Sequence, residues 1–287
     1  MAVLRTKTVT LKRVDVGSMQ PCYVCDSPGI TREHVPPRAI FPEQKDSPGQ
    51  CHRINLITVP SCVTHNSGKS DDDQFLLVSL AGMIGNNSIG YRQHVTKVDR
   101  AIRRSSSRLL EKVFIANTRR TRVDFSNNKF LDVIVGTPDV DRLTKCFDRI
   151  VRGLYYHHFG TKLVGETKSV LGFVHHQNVS AGNFQKFIMR RAEMELESRP
   201  KHGSNPEAFF YQITEPDQFG VFLFHLCFYG AVNIYVSVLL DGIPRPYHLA
   251  MDLMNRGVRT VFTLGDESYE INGETQINTH VKTLTKS

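Results

Sequence analysis

Apolar residues recur along the chain with two periods, and the change from one period to the other predicts its elements. Phe75-Leu76-Leu77-Val78-Ser79-Leu80, entered through Asp71-Asp72-Asp73, reads as a helix that Gly85-Asn86-Asn87 closes. From Leu143, the set Cys146, Phe147, Ile150, Val151, Leu154 and Tyr155 keeps i, i+3, i+4, i+7 spacing and marks a helix with one buried stripe. Tyr156-His157-His158 closes that helix, and the adjacent histidines, pointing different ways, read as polar surface. Phe184–Leu196 reads as another helix and Phe209–Ile213 as a strand. Val258–Leu264 and Tyr269–Asn272 read as tail strands with an Asn-Gly turn at 272–273.

Phe219 to Leu240 contains no Asp, Glu, Lys or Arg and is long enough to cross a bilayer. Its Phe, Tyr and Val content, the interruptions at His225 and Asn233, and Gly230 near its middle favour two buried strands joined at Tyr229-Gly230. No membrane partner is expected. The start, Met1 to Lys7, shows no apolar run of the secretory kind, so a cytoplasmic, reducing compartment is expected.

Charge adds a partner class. Lys and Arg outnumber Asp and Glu by 36 to 28, a formal charge of +8 that favours polyanions. Residues 1–17 alternate basic and apolar types, as an edge strand or a basic arm would. Between Arg92 and Arg122, Arg103, Arg104, Arg108 and seven other Lys and Arg are set among Val95, Val98, Ile102, Leu109, Leu110 and Val113. This predicts a basic amphipathic helix followed by an arginine-rich turn, serving either as a solvated face or as a nucleic-acid surface.

Six cysteines in a reducing compartment need a reason other than disulfides. Cys146 and Cys227 stand in apolar surroundings and read as small core residues. Cys22-x2-Cys25 and Cys62-x2-His65 share one spacing, which lets each pair present two donors to a tetrahedral Zn²⁺. Cys51-His52 is the rival second pair, but adjacent residues rarely reach one ion, so the x2 pair is preferred. A small Pro- and Gly-rich segment with little core has a physical use for a structural metal.

Between the ligand pairs lie Thr31-Arg32-Glu33-His34-Val35-Pro36-Pro37, a Pro-rich loop, and Ile54-Asn55-Leu56-Ile57-Thr58-Val59, expected as a strand. Asn66 follows the last zinc ligand and Lys69 lies three residues on. In this order, residues 18–75 resemble the HNH, or ββα-metal, endonuclease family. That family has a carboxylate-His dipeptide ending its first strand, an Asn in its second, and a final His or Asn opening a helix within the zinc knuckle. The resemblance implies that His34 is the general base for the attacking water. It implies that Glu33 and Asn66 hold a catalytic Mg²⁺ or Mn²⁺ through oxygens, that Asn55 ties down the loop carrying His34, and that Arg38 and Lys69 contact phosphate. The chain departs from the family pattern in having Glu for the commoner Asp, Asn66 for the third His, and His65 as fourth zinc ligand; the first two changes keep hard oxygen donors.

The expected fold is α+β: residues 1–17 an arm or strand, residues 18–90 a small zinc-stapled ββα-metal unit, and residues 91–287 a larger domain of helices and antiparallel strands. The expected function is metal-dependent hydrolysis of phosphodiesters in nucleic acid, with DNA the first candidate. Two other readings use the same residues: a zinc-containing module that binds nucleic acid without cutting it, and an interaction or toxin-like protein acting through its C-terminal domain. That domain is also where a protein partner or a second copy of the chain would dock.

Overall fold

A computed structural model of the chain describes residues 20–67, 70–105, 108–125, 129–242 and 254–273. The basic residues 1–17 and Lys69, for which roles are expected, lie outside them. The fold is α+β, with helices and, among the described residues, four antiparallel sheets.

The N-terminal part carries β1 (Thr31–His34), β2 (Thr58–Ser61), α1 (Val63–Ser67) and α2 (Ser70–Ala81). β1 and β2 pair antiparallel with Glu33 opposite Val59 and His34 opposite Thr58, and α1 packs against β1. Every residue of α2 from Phe75 to Ala81 is buried, as expected for a helix surrounded by other elements and apolar on all sides. The strand expected from Ile54 starts only at Thr58. Asn55 lies in the turn before it with a φ of +52°, a left-handed conformation that Asn tolerates better than most residues.

Next come α3 (Ser88–Gln93), α4 (Asp99–Arg104) and α5 (Arg108–Glu111), with a π-helical turn at His94–Val98 between α3 and α4. The basic helix expected here is one helical run from Ser88 to Arg104 with a π-helical turn in its middle, followed by the separate short α5, and the arginine-rich segment after it is no turn. Arg119, Arg120 and Arg122 lie on β3 (Phe114–Phe125), which among the described residues pairs only with β4 (Lys129–Pro138) as a two-stranded ribbon. Alternating Thr, Arg and Val suit an extended strand as well as a turn, and pairing with the apolar run Val133-Ile134-Val135 decides for the strand.

α6 (Val140–Phe159) begins where the Asp139 side chain accepts from the Arg142 N–H and ends at left-handed Gly160. β5 (Gly165–Leu171), α7 (Val179–Leu196), β6 (His202–Asn205), β7 (Phe209–Ile213), β8 (Val221–Phe228) and β9 (Val232–Leu240) follow. The five strands form one antiparallel sheet in the order β5-β9-β8-β7-β6. The charge-free run is the expected hairpin of β8 and β9, closed by the three-residue loop Tyr229-Gly230-Ala231 with Tyr229 and Gly230 at φ values of +51° and +74°. No helix among the described residues is long and apolar enough to cross a membrane. In the tail, β10 (Thr260–Leu264) and β11 (Glu267–Ile271) pair, but their turn is at Gly265-Asp266 and not at Asn272-Gly273. Asn272 instead donates from its amide to the Met254 carbonyl.

The sheet is covered on both faces. Phe147 and Tyr155 of α6 meet Phe228 and Phe222 on one side, while Ala192 and Leu196 of α7 pack with Tyr235 and Leu223 on the other. The α6 side merges with the N-terminal part into one buried cluster running from Cys22 to Val238, across the boundary expected at residue 90. Two contacts fix that junction. The Tyr229 hydroxyl, fully buried, donates to the Ile40 carbonyl at 2.7 Å. At Gly153 of α6 a Cβ would stand 2.6 Å from a methyl of Val35, so glycine is what allows the residue after His34 to seat against the helix.

Candidate metal centre and adjoining cleft

Cys22 and Cys25 sit on a tight knuckle closed by the Cys22 N–H to the Ser27 carbonyl and the Gly29 N–H to the Gln20 carbonyl, both 2.9 Å. The Tyr23 N–H donates to the Pro60 carbonyl and docks this knuckle on β2, which leads to Cys62 and then to His65 on α1. The four ligand atoms all lie within 4.8 Å of one another. His65 Nδ1 is 3.2, 3.5 and 3.6 Å from the sulfurs of Cys62, Cys25 and Cys22, and the Cys25 and Cys62 sulfurs are 3.9 Å apart. A tetrahedron with zinc bonds of about 2.3 Å to sulfur and about 2.0 Å to nitrogen has edges of about 3.5–3.8 Å, so the spacing suits a metal such as zinc. It is far from the roughly 2.05 Å of a disulfide. Burial raises the Cys22 thiol, but backbone N–H groups at Val24, Cys62 and Cys25 outweigh it and lower the thiol overall, in the direction a thiolate ligand needs. The rival pair stays out of the cluster: Cys51 is exposed, and the His52 ring contacts the Ser47 hydroxyl at 3.1 Å. Cys146 and Cys227 are buried as expected, and burial pushes their thiols up to about 12 and about 11.

Glu33 and His34 open into a cleft between β1, α2 and α6, with Asp72, Asp73, Cys146 and Arg149 also on its walls. Glu33 is buried and accepts a 3.1 Å hydrogen bond from the Tyr23 hydroxyl, whose phenol is pushed far up by burial and by Glu33 itself. His34 is half-buried; burial, then the guanidinium groups of Arg38 and Arg53, hold its imidazole below the ordinary value against the opposing pull of Glu33. Arg38 is exposed beside His34 on a 3₁₀ turn, while Arg53 is anchored to the Phe41 carbonyl at 3.1 Å. The loop after His34 is tied by the Val35 N–H to the Ile57 carbonyl at 3.0 Å. Asn55 lies outside the cleft, and its carbonyl accepts from the Ser204 hydroxyl. Asn66, on α1 beside His65, donates its N–H to the Cys62 carbonyl and is absent from the cleft walls.

Sequence reasoning passed over Asp72. Its two oxygens take Arg142 at 2.8 and 2.9 Å and Arg149 at 2.8 Å, clamping α2 to α6 at the cleft. Arg142 and Arg149 stand seven residues apart on one helix, and that spacing was the available signal.

Much of the basic segment is spent internally. Arg100 makes a two-pronged pair with Asp46 at 2.7 and 2.9 Å, Arg92 donates to the Ser47 hydroxyl, and Lys97 reaches the Ala39 carbonyl and Glu43. Lys45, with Lys97 and Arg53, lowers the Glu43 carboxyl to about 2. Arg103 pairs with Asp99, and Arg104 and Arg108 donate to backbone carbonyls of Arg100 and Ser105. Arg119 and Arg120 are exposed, and as neighbours on β3 they point to opposite faces of the ribbon.

Compared with known proteins, the chain matches no family model, no curated sequence and no solved structure.

Proposed function

We propose that this chain is a metal-dependent phosphodiesterase of the HNH, or ββα-metal, type acting on nucleic acid, with DNA the first substrate to test. One observation carries the reading. The Glu33-His34 dipeptide ends a strand whose partner runs into Cys62 and His65, and both residues line the same cleft. In this reading the Cys22, Cys25, Cys62 and His65 cluster holds a structural Zn²⁺ that fixes the strand pair. His34 accepts the proton of the attacking water, and Arg38 beside it meets the phosphate. The cleft suits a hard divalent cation because Glu33, Asp72 and Asp73 bring carboxylates to its walls, Asp72 while also pairing with Arg142 and Arg149. Glu33 is the primary ligand for Mg²⁺ or Mn²⁺ in this reading, while Asn66, the second oxygen donor that the family resemblance implies, lies outside the cleft walls. The ion supplies positive charge at the phosphate and the leaving oxygen.

Nicking of supercoiled plasmid with Mg²⁺ or Mn²⁺ tests this. His34→Ala is expected to cut roughly a hundredfold more slowly or worse, the scale of a positioned general base, with zinc content and DNA affinity retained. Wild-type protein that binds DNA but never cuts it would leave the non-catalytic binding module in its place.

A further inference from the structure

On the other side of β1 from Glu33 is a second recess, of about 460 Å³. It lies where the strand pair β1–β2 meets the end of α6 and the sheet edge β6–β7. Its polar walls are Arg32, Asn55, Thr58, His157, His202, Ser204 and Tyr211. No Asp or Glu is among its lining residues, so every ionisable group there is cationic or neutral.

The walls are held in place. The Arg32 guanidinium donates from Nε to the Thr58 hydroxyl at 3.0 Å and from Nη2 to the Thr58 carbonyl at 3.1 Å, which leaves Nη1 for another acceptor. The His202 ring stacks on Tyr211 with centroids 5.1 Å apart and meets His158 edge-on at 5.4 Å. Burial, then the neighbouring imidazoles, keeps His157 and His202 below their ordinary values, and no carboxylate offsets this. A cation would be repelled by Arg32, whereas an anion would relieve the crowding of these groups.

We infer that this recess is a phosphate-binding subsite through which a nucleic-acid strand runs onward from His34. Arg32 and His34 are two positions apart on one strand, so they share a face about 7 Å apart, roughly one nucleotide repeat. Thr58, which clamps Arg32, is also the register partner of His34. A strand whose scissile phosphate lies at His34 therefore meets Arg32 at its next phosphate and the His157–His202 wall beyond it. The identity of the ligand rests on the nuclease reading, while the anion site stands on its own geometry.

The experiment follows the imidazole resonances of the zinc-loaded full chain by NMR through a pH titration without Mg²⁺ or Mn²⁺. Three arms are run: no addition, inorganic phosphate, and a short single-stranded DNA. The DNA is expected to raise the titration midpoints of His157 and His202 in both wild type and His34→Ala. Arg32→Ala and the pair His157→Asn, His202→Asn are expected to bind the DNA about tenfold more weakly at pH 6, since each removes charge-assisted hydrogen bonds to phosphate. Unmoved midpoints with bound DNA overturn the inference, and so does a response to inorganic phosphate alone. Should the DNA shift these imidazoles in a protein that never nicks plasmid, the subsite stands and the nuclease reading falls.

Discussion

The hydroxyl of Tyr23, the residue between Cys22 and Val24 on the Cys22–Cys25 knuckle, donates to Glu33 Oε1 at 3.1 Å inside the protein. The bond couples the Cys22, Cys25, Cys62 and His65 cluster to the cleft, because the turn that presents Cys22 and Cys25 also orients the carboxylate beside His34. Burial and Glu33 keep the Tyr23 phenol protonated and hence a donor. Tyr23→Phe is expected to cost about 1–3 kcal/mol, the range for leaving a buried acceptor short of a bond. It should also raise the Mg²⁺ concentration for half-maximal cleavage. Urea unfolding and a metal titration check the two effects, and a purely structural Tyr23 would move only the first.

The cluster itself governs stability over more than its own segment. Elemental analysis of wild type is expected to find stoichiometric zinc, and Cys22→Ala, Cys25→Ala and Cys62→Ala are each expected to remove it. Because the buried cluster is continuous from Cys22 to Val238, the loss should lower the unfolding midpoint of the whole described core and not melt residues 18–75 alone. His65→Cys should keep the ion, since a thiolate replaces an imidazole in the same tetrahedral set. Wild-type protein without zinc, purified in the absence of chelators, would contradict this.

Nucleic-acid affinity should divide unequally between the two arginine groups. All five are exposed, but Arg103 is paired with Asp99 and Arg104 and Arg108 are bonded to nearby carbonyls, whereas Arg119 and Arg120 extend from opposite faces of the ribbon. Reversing Arg119 and Arg120 to Glu is expected to weaken DNA binding at every sequence and lower the salt slope by about 0.7–0.9 for each phosphate left without its arginine. Reversing Arg103, Arg104 and Arg108 should do less. Equal affinities and slopes for all variants across a salt series would mark both groups as solvated faces.

Stability should fall as pH drops from 7.5 to 5.5. Six imidazoles, at His34, His52, His94, His157, His202 and His225, are held below their ordinary values, with burial the largest cause in each. The unfolded chain then binds more protons than the folded one near pH 6, so their contribution is complete above about 6.5 and is lost as pH falls through the folded values. His94 on the π-helical turn is the cleanest probe, because its Nδ1 is buried without a hydrogen-bond partner. Urea midpoints for wild type and His94→Leu at both pH values give the check: the variant should lose less on acidification.

Local chemistry made several of these features readable from the sequence. The x2 spacing dictates two knuckles that each present a pair of ligands, and the 3.6-residue stripe from Leu143 dictates α6. Tyr229-Gly230 within a charge-free run dictates the β8–β9 hairpin. Each is a matter of a few neighbouring residues, whose backbone preferences and periodicity act at short range.

Tertiary structure decided what lies far apart in the chain. Cys25 meets His65 across 40 positions because the Tyr23 N–H reaches Pro60. Asp72 enters the cleft beside Glu33 because α6 brings Arg142 and Arg149 to it. His157 and His202 form one wall only where the end of α6 meets the sheet edge. Val35 finds Gly153, and Tyr229 finds Ile40, through packing that no local pattern records. The arginine-rich segment shows the same limit in reverse: a run compatible with turn or strand became a strand when Val133-Ile134-Val135 paired with it. A period specifies which face of an element is apolar, but which other face it meets depends on shape and on closing long loops, and those are properties of the folded whole.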